Sequence, residues 1–146
     1  MAAQSKVIDA AGIRERAARA HAFLVVAEDA EGAPTSAVRA VGLSNAVEAG
    51  IAASDAICGH RLGEHSHGDD HRAAVALLKR ALPDDSNAAA ALGRLLDVKN
   101  RAQYGAGEIS KPLWAQNLAR ARRLVSTMDE VLERSPGAET NRSTAR

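Results

Sequence analysis

From Trp114 onward, apolar side chains return at alternating steps of four and three residues: Trp114, Leu118, Ala121, Val125, Met128 and Leu132. That spacing runs along one side of an α-helix, whereas a strand shows the same face at every second residue. Such a helix has to bury its stripe against other helices. The supply of side chains agrees, because 146 residues include one Phe, one Tyr and one Trp, leaving Ala, Leu, Val and Ile to build the core. Alanine has the highest helix propensity and offers little to a pleated surface. The expected fold class is therefore all-α: an up-and-down bundle of four to five helices forming one domain over residues 1–134. A polar, aperiodic tail over residues 135–146 is expected to be disordered.

Four helical stretches precede this last one. Ile13, Ala17, Ala20, Leu24 and Ala27 place a first helix over about residues 6–28, with Arg14, Arg16 and Arg19 mostly off its apolar side. After the Glu31-Gly32-Ala33-Pro34 turn, Thr35 or Ser36 can cap a second helix reaching Leu62. This helix carries Leu43, Val47, Ile51 and Ile57, with Gly50 and Ser54 small enough for another helix to approach closely. Asn45, Glu48 and Asp55 share a different stripe, read as a solvated face or as the polar wall of a cleft. Asp69 or Asp70 caps a third helix containing Val75, Leu78 and Leu82, stopped by Pro83. Asp85 or Ser86 restarts the chain into a leucine-rich run ending at Gln103, with Gly105 as a left-handed terminator. These two runs read equally as separate helices or as one kinked element. The last helix opens at Ser110 or Lys111, with Pro112 in its tolerant first turn.

Composition narrows the function classes. Nineteen basic against eighteen acidic residues leave a formal charge of +1, so no overall field draws the protein to nucleic acid or anionic lipid. One cysteine, Cys58, excludes an internal disulfide, and an inert core thiol is its expected state. There is no secretory leader and no stretch of about 20 apolar residues, which sets the expectation of a cytoplasmic protein without membrane contact.

Among candidate chemistries, His60, His65, His67, Asp69, Asp70 and His71 could ligate a metal, but their spacing matches no specific signature and no metal or cofactor is expected. Phosphate loops, nucleophile elbows and metalloprotease helices are missing from the sequence. The remaining polar concentration is Lys99-Asn100-Arg101-Ala102-Gln103-Tyr104. Lys99 and Tyr104 diverge by roughly 140° around one helix, so they meet only if two copies of the helix end converge across a two-fold axis. Lys99 lies in line with Leu92 and Leu95 or Leu96. An ammonium on that side needs a partner, Asp55 or Glu48 or a bound phosphate, unless its stem snorkels to water.

Taken in order, these elements resemble the HEPN superfamily over roughly residues 36–132. The resemblance is carried by a small-residue helix ending in Arg61-Leu62-Gly63, by His71 opening the next helix, by the leucine-rich run ending in Lys99-Asn100-Arg101-Ala102-Gln103-Tyr104-Gly105, and by a Ser-started last helix. It implies a helical bundle, a homodimer, RNA or nucleotide as ligand, and a nucleotidyltransferase-like partner protein of the toxin–antitoxin or defence kind. Lys99 stands at the family's motif Arg, Asn100 at the polar position after it, and Tyr104 where members have His or Tyr. His71 matches a His of a small bacterial branch. Lys99 and Tyr104 are thus the expected catalytic pair, with Asn100 and His71 as ligand-binding side chains; the residues themselves add Arg101, beside them in the polar run, and Asp55, a possible partner of Lys99. Lysine lacks the planar fork of Arg, and a phenol with pKa near 10 is a poor base near neutrality. Binding without turnover is accordingly the first expectation. A weak metal-independent ribonuclease is the enzymatic alternative, and a helical assembly protein docking through its last-helix seam is the non-enzymatic one.

Overall fold

In the computed structural model, residues 5–33, 35–104 and 108–134 are described, with the side chains of 100–104 excepted. They form five helices and one small antiparallel ribbon: β1 (Ser5–Val7), α1 (Ala10–Asp29), α2 (Ser36–Leu62), β2 (Glu64–Ser66), α3 (His71–Ala81), α4 (Ser86–Tyr104) and α5 (Lys111–Glu133). The all-α expectation holds. The boundaries follow from the caps. Thr35 accepts from the Val38 N–H, Asp70 from those of Arg72 and Ala73, and Ser110 from that of Leu113. The Asp85 carboxylate accepts from the Ala88 N–H at 3.2 Å, so α3 and α4 are separate helices joined by a short turn through Pro83.

One boundary departs from the sequence expectation. Residues 5–7 are extended, because Asp9 caps α1 by accepting from the Gly12 N–H and the preceding segment pairs with β2 in the register Ser5–Ser66, Lys6–His65, Val7–Glu64. The histidine-rich loop is thereby tied to the start of the chain.

Helix α2 is the central element and packs against all four other helices. From Ala52 to Gly59 every one of its residues is buried, which is why it lacks a single apolar stripe. Its glycines set the closest approaches. A Cβ on Gly42 would lie 2.5 Å from the Ala30 Cβ, one on Gly50 2.6 Å from Leu95 Cδ1, and one on Gly59 2.7 Å from Ile8 Cγ2. Gly63 closes the helix at φ 73°, the left-handed conformation that favours glycine.

The α5 seam turns inward: Trp114, Leu118, Ala121, Val125 and Met128 are buried and Leu132 partly so, with Asn117, Leu124 and Val131 buried beside them. That seam is therefore largely spent on the chain's own core. Among the described residues the exposed large apolar side chains are Val7, Val25, Val26, Val38 and Val41. No helix among the described residues is long and apolar enough to cross a membrane.

Candidate functional site

A cleft of about 170 Å³ opens between α2, the loop after β2, the start of α3 and the end of α4. Its apolar floor comes from Ile51, Ala74, Leu92 and Leu96. Its polar groups are Glu48, Ser54, Asp55, Ser66, Asp69, Asp70, His71 and Lys99. Of the sequence-derived candidates, Asp55, His71 and Lys99 converge here from three helices. Glu48 and Asp55 form a cleft wall, which decides between the two readings of their stripe. Asn45, the third member, turns its amide back to the Val41 carbonyl at 2.9 Å. Asn100, Arg101 and Tyr104 sit on the last turn of α4, whose backbone is helical to Tyr104. Their side chains, and Gly105, lie outside the described residues.

Lys99 has the carboxylate partner that its position on the leucine side requires: its Nζ lies 3.9 Å from Glu48 Oε1. Its side chain is 29% exposed, so the ammonium reaches the cleft mouth while its stem covers apolar surface.

Asp55 is strongly altered by its surroundings. Burial raises its carboxyl pKa from 3.8 to about 7, Arg16 opposes that rise, and Glu48 adds to it. The Arg16 guanidinium stands 3.7 Å away, reaching across from α1. On the other side the His65 Nδ1 lies 4.0 Å from Asp55 Oδ1, but it donates to the Ser66 carbonyl at 2.8 Å. A carbonyl only accepts, so Nδ1 carries the proton and the neutral ring keeps its lone pair on Nε2. Burial also lowers the His65 pKa, so at neutral pH the ring gives Asp55 no positive charge. Asp55 is then a carboxyl able to give or take a proton near neutrality, and Lys99 supplies positive charge to the same cleft.

Arg16 was not anticipated as part of this site, although its position was open to inference. It was expected mostly off the apolar side of α1, but three residues after Ile13 and four before Ala20 it borders their stripe, and the structure turns it toward Asp55. Recognising Asp55 as its partner requires the pairing of α1 with α2.

The histidine-rich loop divides. His65 is held in β2 and His71 starts α3, whereas His67 is exposed. No three His, Cys, Asp or Glu side chains among the described residues come together as a metal-ligand set. Cys58 is buried in α2. Burial pushes its thiol up to about 12, opposed by a hydrogen bond with Ser54 and reinforced by Asp55 and Glu64. Native protein at pH 8 is therefore expected to leave Cys58 unmodified by a thiol-specific disulfide reagent, with one equivalent reacting after denaturation. Rapid native labelling would show that α2 opens.

Comparison with known proteins adds no family to this geometry: no family model, curated protein or solved structure matches the chain.

Proposed function

We propose that this is a HEPN-like protein whose cleft binds a single nucleotide, or the end of an RNA strand. The observation that carries the reading is the convergence of Asp55, His71 and Lys99 on one open cleft: the resemblance expects a ligand contact at His71 and catalysis at Lys99, and Asp55 was expected from the residues themselves as a carboxylate facing Lys99. The charge balance narrows the ligand. Among the described side chains, Glu48, Asp55, Asp69 and Asp70 line the cleft against Lys99 as the one Lys or Arg, so a strand with several phosphates inside it would meet net repulsion from them. A nucleotide suits it better: hydroxyls and exocyclic amines can donate to the carboxylates while one phosphate meets Lys99 at the mouth.

Homodimerisation, a nucleotidyltransferase-like partner and a toxin–antitoxin or defence setting belong to this proposal through the resemblance. The near-neutral Asp55 supports the ribonuclease version, since a carboxyl that exchanges its proton around pH 7 suits general acid–base cleavage. A partner-docking role draws support from the exposed valines of α1 and α2.

Calorimetric titration with the four ribonucleoside monophosphates at low salt in EDTA tests the reading. Saturable binding is expected, weakened about tenfold or more in Lys99→Ala, in line with loss of a charge-assisted contact. Absence of binding by both the monophosphates and short labelled RNA would sink it. Cleavage of that RNA in EDTA, lost in Lys99→Ala and Tyr104→Ala, would establish the enzymatic version.

A further inference from the structure

A separate cavity of about 190 Å³ lies where the α1–α2 turn meets the start of α5. It shares no lining residue with the cleft. Trp114, Ala115 and Leu118 give it an apolar floor, and Glu31, Arg39 and Lys111 stand among its remaining lining residues. The Trp114 indole N–H is already donated to the Ala30 carbonyl at 3.2 Å, so the ring offers apolar surface without an unmet polar group.

The charges around this floor are unevenly matched. Glu31 is engaged by Arg122 at 3.3 Å, and the same guanidinium holds Glu28 at 3.4 Å. Neither Arg39 nor Lys111 has a carboxylate in ion-pair range among the described residues. Arg39 is also held in place: its Nε donates to the Ile109 carbonyl at 2.7 Å and its Nη1 to the Ala33 carbonyl at 2.9 Å. Those bonds fix the guanidinium plane and leave Nη2 with no acceptor among the described residues. An oriented guanidinium and a nearby ammonium over an apolar floor suit an anion that has an apolar body. Glu31 on the rim repels a second negative charge, which favours a carboxylate over a phosphate monoester.

We infer that this cavity is a second ligand site, independent of the cleft, for a small organic monocarboxylate whose apolar body rests on Trp114 and Leu118 and whose carboxylate meets Arg39 and Lys111. The chain's one tryptophan is the reporter. Phenylacetate titrated into the millimolar range is expected to change Trp114 fluorescence saturably. Its neutral analogue phenylacetamide, and phenyl phosphate, are expected to bind at least about tenfold more weakly. Lys111→Gln, at an exposed position, is expected to weaken phenylacetate about tenfold at unchanged melting temperature. An upfield or downfield shift of the Trp114 indole N–H resonance should track the same saturation curve. The inference is overturned if phenylacetate gives no saturable response, if phenylacetamide or phenyl phosphate binds as tightly, or if Lys111→Gln leaves the affinity unchanged.

Discussion

Asp55→Asn is expected to stabilise the protein at pH 8 by on the order of 4 kcal/mol, and to make almost no difference near pH 4. The folded carboxyl titrates at about 7 against an ordinary 3.8, and each pH unit of that separation is worth about 1.4 kcal/mol. Between these values the folded state keeps a proton that the unfolded chain has released, so stability falls as pH rises. Above pH 7 both states are ionised and the full cost of holding a buried charge remains. Asparagine has the same shape and does not titrate, so the difference between the two proteins should grow from pH 4 to pH 7 and then level off. Denaturant unfolding of both proteins across that range measures it. Arg16→Gln in the same series should move the upper limit of the window to higher pH, since the Arg16 charge opposes the rise. A uniform loss of stability in Asp55→Asn at every pH would instead make Asp55 a structural partner of Arg16.

Gly42→Ala is expected to cost about 2 kcal/mol, even though alanine is the better helix former by about 1 kcal/mol. The new methyl would lie 2.5 Å from the Ala30 Cβ, and a Cβ has no rotamer by which to withdraw. Helices α1 and α2 would have to separate at the turn whose Ala33 and Ala30 carbonyls accept from Arg39 and Trp114. Relief should come from Ala30→Gly, because Ala30 has ordinary right-handed angles, φ −83° and ψ −1°, which glycine accepts. A double-mutant cycle by urea unfolding is expected to return a favourable coupling of about 1 kcal/mol or more. Strict additivity would place the strain elsewhere along α2.

Several features of the site were visible in local sequence and others were not. His71 follows directly from Asp70 as a cap, since a cap and the first helical residue are neighbours in the chain. Lys99 was placed on the leucine side of α4 by spacing alone, which left it Glu48, Asp55 or a bound phosphate as partner unless its stem reached water. Choosing Glu48 took the relative rotation of α2 and α4, which periodicity within either helix does not contain. Arg16 escaped notice because its partner is distant in the chain and belongs to another helix. The strand Ser5–Val7 escaped for a related reason: three residues carry almost no local signal, and their extended form depends on pairing with Glu64–Ser66.

Local chemistry alone determined that the chain is helical, narrowed three of its helix starts to Thr35 or Ser36, Asp69 or Asp70, and Ser110 or Lys111, and gave the Trp114 to Met128 seam as buried. These rest on side chains within one or two turns of each other, where propensity and capping act without help from the rest of the molecule. Tertiary packing decided that α2 lies at the centre, that its polar stripe walls a cleft, and that Asp55 is held near neutral pKa. Burial is a property of everything packed around a group, so a desolvated carboxylate has no signature in the residues beside it.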